Sequence, residues 1–153
     1  MSFMVFMSYA TADISVAKQL KTILESSSVS VFVSEFSLSA GEPLIAGIDA
    51  KIMECNLFLL LWSHNSKCSD WVQQEIGIAK AYKKQILPVV LEKNLSLPAF
   101  IKDIKYLPIY DSPQEMVVWL RNNIYAKANA KERDDGLFWL TLGIGLLALT
   151  SRS

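Results

Sequence analysis

A chain of 153 residues suits one domain, and at 52% hydrophobic it has the apolar material to fill a core. Fifteen basic residues balance fifteen acidic ones, so no basic field exists to hold nucleic acid by charge, and that class of partner is set aside. Cys55 and Cys68 lack metal-ligand spacing, and with no signal peptide a reducing cytosol is the expected compartment.

Phe3 to Ser8 is a near-continuous apolar run, the mark of a strand buried on both faces. Asp13 opens a helix with Ala17, Leu20 and Leu24 on one side, which ends in the weak helix formers Ser26 to Ser28. Val29, Val31 and Val33 alternate as a second strand. Glu35 to Glu42 reads as a loop, and Pro43 suits the first turn of a helix that turns Leu44, Ile45, Ile48 and Ile52 inward and stops near Cys55. Leu57 to Trp62 is a third strand, followed by a polar loop from Ser63 to Cys68.

The next helix runs from Asp70 to about Lys84, with Ser69 as its N-cap and Asp70 in the first turn, where the helix dipole favours an acid. At about 100° per residue, Trp71, Val72, Glu75, Ile76, Ile78, Ala79 and Tyr82 share one arc, with Glu75 near its middle. A carboxylate among apolar neighbours loses hydration and needs compensation. Two readings of it stand: an edge or structural hydrogen-bonding residue, and a functional acid in a cleft wall with Trp71 one turn earlier. Ile86 to Leu91 follows as a fourth strand, in which Pro88 predicts an irregular or edge position. Glu92 to Lys105 is loop, and Tyr106 to Tyr110 a short fifth strand. Asp111 or Ser112 caps a last helix with Pro113 at its first position and Met116, Val117, Leu120 and Ile124 facing in.

Strand and helix alternate five times, which predicts an α/β fold: a five-stranded parallel sheet with helices on both faces. Ligands of such sheets bind beyond the carboxyl ends of the strands. Ser8-Tyr9-Ala10, the loop 35–42 and the loop 63–68 converge there, and the last delivers Trp71 and Glu75. Several chemistries are missing. There is no G-x-G-x-x-G and no G-x-x-x-x-G-K-[ST]. His64 is the sole histidine and reads as a loop residue, and G-x-S-x-G is absent. A phosphoacceptor domain of this architecture would want acids where Ser8-Tyr9 and Trp62-Ser63 stand. Cys68 has no basic activator in sequence.

Several segments together resemble a Toll/interleukin-1 receptor (TIR) domain, particularly bacterial ones. Val5 to Asp13, with Ser8-Tyr9 and the following Asp13, resembles box 1. Glu35 to Pro43, with Ala40-Gly41-Glu42, resembles the BB loop. Leu57 to Ser63 resembles the third strand, Trp71 to Glu75 matches W-x-x-x-E, and Ile86 to Val90 resembles the fourth strand. The resemblance covers residues 1–125 and implies the flavodoxin-like TIR fold. In enzymatic TIR domains the motif glutamate cleaves NAD+, so the resemblance implies Glu75 as catalytic residue. It further implies Tyr9, Ala10, Gly41 and Trp71 as lining of the nucleotide site, with NAD+ as substrate and neither cofactor nor metal required. Relatives often carry a basic residue after the box 1 tyrosine or in the BB loop. Here Ala10 and the uncharged run Ser37 to Ala40 stand instead, which leaves phosphate contacts to backbone N–H groups, to the hydroxyls of Ser8, Thr11 or Ser39, or to a neighbouring subunit. The implied function is an NAD+ nucleosidase in bacterial antiviral defence, activated by assembly through the loop 35–43. The alternative is a non-catalytic TIR interaction module.

Residues 126–135 are charged and helix-prone and read as a linker. Gly136 to Ser151 is then uncharged for 16 residues. A helix of that length spans roughly 24 Å against a hydrocarbon core of about 30 Å. Phe138 and Trp139 suit an interface, and Lys127, Lys131 and Arg133 lie on the domain side. The segment reads as a C-terminal hydrophobic helix, either an anchor to the inner membrane for a cytoplasmic domain or a packing element in an oligomer.

Overall fold

The computed structural model describes residues 2–33 and 45–133. The loop 35–43, with Gly41, Ser39 and Pro43, and the hydrophobic segment 136–151 lie outside the described residues. Strands β1 (Phe3–Ser8), β2 (Val29–Val33), β3 (Leu57–Trp62), β4 (Ile86–Val90) and β5 (Leu107–Pro108) form one parallel sheet. Their order is β2-β1-β3-β4-β5. This is the flavodoxin-like order, and its direction reverses between β1 and β3, where a crevice opens beyond the strand ends.

Alternation along the strands feeds two cores. Val5 and Met7 of β1 join Leu57, Leu59 and Leu61 of β3 against Ala17, Leu20 and Leu24 of α1 (Ile14–Leu24) and Met116, Leu120 and Ile124 of α5 (Pro113–Arg133). Phe6, Phe58, Leu60 and Trp62 face the other way, against Ile52 of α2 (Ile45–Glu54) and Val72, Ile76 and Ala79 of α4 (Asp70–Ala81). Phe6 stacks on Phe32 and Phe58 with both ring centroids at 5.4 Å. The third strand is wholly buried because helices cover both its faces, as its unbroken apolar run requires.

Four expectations need correction. The segment after β3 is not all loop: His64–Lys67 forms a one-turn helix, α3. Ser63 and Ser66 close it reciprocally, each side chain accepting from the other's backbone N–H (3.1 and 3.2 Å). Second, β4 is an interior strand, so Pro88 marks no sheet edge. Gln85 and Leu91 face β3 (Phe58 N–H to Gln85 C=O 2.9 Å; Leu91 N–H to Trp62 C=O 2.8 Å). Alternation then turns Pro88 toward β5, which pairs only with Val89 and Val90, so the missing N–H falls short of that ladder. Third, the fifth strand is two residues long. Fourth, α5 does not stop at residue 125 but continues to Arg133, taking in most of the expected linker. Lys127 and Ala128 are buried in it. Lys131 Nζ donates to Ser2 C=O (3.2 Å) and Asn56 Oδ1 (3.1 Å), which ties the helix end to the amino edge of the sheet.

Helix α4 ends in a Schellman turn: Lys84 N–H reaches Ala79 C=O (2.9 Å) and Lys83 N–H reaches Lys80 C=O (3.0 Å). The residue at the left-handed position is Lys83, with φ 55°, where a side chain is strained and glycine is not. Lys83 is exposed, so its side chain contributes little in return. Lys83→Gly is expected to stabilise the fold by about 1 kcal/mol, read as a higher midpoint in urea unfolding.

Candidate active site

The site grows from the carboxyl ends of β1 and β3. Ser69 caps α4 as expected, its Oγ accepting from Val72 N–H at 3.2 Å, and this fixes where the first two turns of α4 point. Trp71 is half-buried, and Glu75 one turn later is 1% exposed. Ser8, the last residue of β1, shares the sheet face of Phe6, and its Oγ donates to Glu75 Oε1 at 2.7 Å. A glutamate predicted on an apolar arc thus lies inside the α4 face of the molecule, bonded to the end of the first strand. A buried carboxyl group keeps its place only with such donors.

A second tie closes the crevice from the side. After Ala10, in extended backbone, Thr11–Asp13 make one 3-10 turn. The Asp13 carboxylate does not cap α1. It accepts from Ser63 Oγ at 2.5 Å and from Asn65 Nδ2 at 3.1 Å. Ser66 Oγ in turn donates to Leu61 C=O at 2.6 Å. The turn after β1 is therefore fastened to the turn after β3 across the point where the strand order reverses. No sequence signal pairs Asp13 with residues 50 and 52 positions away, although the Ser63…Ser66 spacing could have shown the capping box.

Other candidates fall away. His64 opens α3, and its Nδ1 and backbone N–H both meet Glu92 Oε2 (2.8 and 2.6 Å). The donated backbone N–H chiefly holds the Glu92 carboxyl below its ordinary range. Burial pushes the Cys55 thiol up to about 11, which removes it as a nucleophile. Among the described residues no group of three or more His, Cys, Asp or Glu could hold a metal ion.

A comparison with protein families matches residues 5–118 to the TIR domain. The chain belongs to the TIR domain family. As a TIR domain it superposes on the TIR domain of the Toll-related receptor TRR-2 from Hydra magnipapillata with a TM-score of 0.66 at 22% identity, over 82% of this chain and 97% of that one. The TIR domains of the activated Roq1 resistosome, which recognises the pathogen effector XopQ, match with a TM-score of 0.50 at 18% identity, over 99% of this chain and 86% of that one. These likenesses bear on the fold. A comparison with curated proteins finds no significant match.

Within this TIR domain the expected site residues do not all converge. Ser8 and Glu75 are in direct contact, with Trp71 one turn away on α4. Tyr9 is 2% exposed and packs with the α1–α5 core, on the opposite face of the sheet from Glu75. What Tyr9 offers a ligand on the Glu75 side is its backbone. Ala10 is 5% exposed, and its C=O accepts from Asp13 N–H at 2.8 Å, which closes the 3-10 turn. Gly41 lies outside the described residues. Among the described residues no helix is long and apolar enough to cross a membrane.

Proposed function

We propose that this TIR domain is an NAD+ nucleosidase in which Glu75 is the catalytic residue. The observation that carries the reading is the Glu75 carboxyl group, 1% exposed, at the carboxyl edge of the sheet beside the reversal of strand order. Nicotinamide in NAD+ is already cationic and leaves without an acid. Positive charge then develops on the ribose and needs an anion nearby, and the ribose hydroxyls need an acceptor. A carboxylate in a water-poor wall supplies both, as in glycosidases. Trp71 supplies an apolar face for ribose or base. Water as acceptor gives ADP-ribose, and an internal nucleophile of the substrate gives a cyclic product.

The resting carboxyl group is covered, so substrate reaches it only when a neighbour shifts. This suits activation by assembly, with the loop 35–43 as the self-association element. The TIR domains of the Roq1 resistosome belong to an activated assembly, which supports the same reading by analogy. Bacterial antiviral defence is the proposed setting. Residues 136–151 would hold a cytoplasmic domain at a membrane or pack within the assembly.

One observation favours a second reading, a non-catalytic interaction module: Glu75 Oε1 is already engaged by Ser8, and neither Ala10 nor Thr11 brings a cation for the pyrophosphate. Incubating concentrated full-length protein with NAD+ and resolving products by chromatography separates the two. The nucleosidase releases nicotinamide with ADP-ribose or its cyclic form; the module leaves NAD+ intact.

A further inference from the structure

We propose that Ser8 is a positioning residue for Glu75, its hydroxyl committed to the carboxyl group rather than to a substrate phosphate. The proposal rests on the NAD+-cleaving reading. Ser8 is fully buried, and its single hydroxyl proton points at Glu75 Oε1 over 2.7 Å. The two residues are 67 positions apart, so the bond links two separate elements. One end is rigid: β1 pairs with β2 on one side and β3 on the other, and Ser8 itself is in register with Leu60. The other end is a glutamate side chain with three rotatable bonds, whose carboxyl group would otherwise sample several orientations. A fixed donor selects one orientation and favours the ionised form, which is the form the reaction needs.

No competing partner for this role is built into the surrounding elements. The ionisable side chains of α2 and α3, which pack on α4, are Asp49, Lys51, Glu54, His64 and Lys67, all half-buried or exposed, and β1 carries none. Asp49 is taken by Tyr82 Oη at 2.7 Å. A hydroxyl with its proton donated inward to a carboxyl group has none left for a phosphate oxygen, so substrate binding falls to other groups of the turn.

The test uses full-length protein with Ser8→Ala, which removes the donor, and Ser8→Thr, which restores a hydroxyl. With Ser8→Ala, kcat for nicotinamide release should fall by roughly ten- to a hundredfold while KM for NAD+ changes less than about threefold, because the lost contact is to the catalyst and not to the substrate. The acid limb of the kcat profile should move to higher pH by about one unit. Ser8→Thr should recover most of the rate. A rise in KM with an unmoved acid limb would make Ser8 a substrate ligand and overturn the proposal. Carboxyl-carbon NMR of Glu75 in substrate-free protein supplies a readout independent of turnover. If the Glu75 titration is the same in wild type and Ser8→Ala, the proposal fails whether or not the protein cleaves NAD+. If the titration moves in a protein that releases no nicotinamide, the functional reading alone fails.

Discussion

Lys127→Met is expected to stabilise the fold at neutral pH by on the order of 3 kcal/mol, and to flatten its dependence on pH above neutrality. Lys127 is 2% exposed on the inner stripe of α5, with its Nζ donating to Gln85 Oε1. Burial pushes its ammonium down to about 7, against about 10.4 in an unfolded chain. Between those two values the unfolded chain holds the proton that the folded one has lost. Unfolding then takes up a proton, so stability rises with pH across that window. Below the folded value both states are charged and the full desolvation penalty is present; above the unfolded value both are neutral and it is gone. Methionine fills similar volume without charge. The gap between Lys127→Met and wild type should therefore be widest at pH 7 or below and close toward about pH 10. Urea titrations at a series of pH values measure it, and parallel curves for the two proteins would contradict the assignment.

Glu75→Gln is expected to lower nicotinamide release by at least about a hundredfold while leaving the fold in place. Glutamine keeps the shape of glutamate and still offers Ser8 an amide oxygen to donate to, so the packing of α4 on β1 survives. What it removes is the negative charge. In a water-poor wall that charge opposes the ribose cation without a solvent shell to screen it, and the neutral amide does neither this nor the proton acceptance from ribose hydroxyls. Removal of a group that acts only in the transition state lowers kcat and kcat/KM together. A near-wild-type melting profile for Glu75→Gln is part of the expectation, since it separates lost chemistry from lost structure.

Much of this was legible in the chain. The apolar runs 3–8 and 57–62 and the valine alternation at 29–33 became the first three strands. Ser69 proved to be the cap of α4, and the 100° arc placed Glu75 inside. Local signals of this kind act within one element, where period and capping decide the outcome. Lys127 was readable in principle. It stands seven residues after Leu120, on the stripe of Met116, Leu120 and Ile124, yet its charge read as a linker. The Ser63…Ser66 box was short enough to pass as loop. What no local pattern could carry is the pairing of elements: Asp13 with Ser63 and Asn65, Ser8 with Glu75, and the turn of Tyr9 to the far side of the sheet. These follow from the register of β1 against β3 and from which helix covers which face, and both are set by tertiary packing.

The measurement that bears most directly on the central claim is a time course of nicotinamide release from NAD+ by wild type and Glu75→Gln, at equal and high concentrations of folded protein. The account predicts steady release by wild type, with a specific rate that rises with protein concentration, and release by Glu75→Gln at the level of the buffer blank. Equal rates from the two proteins would contradict it.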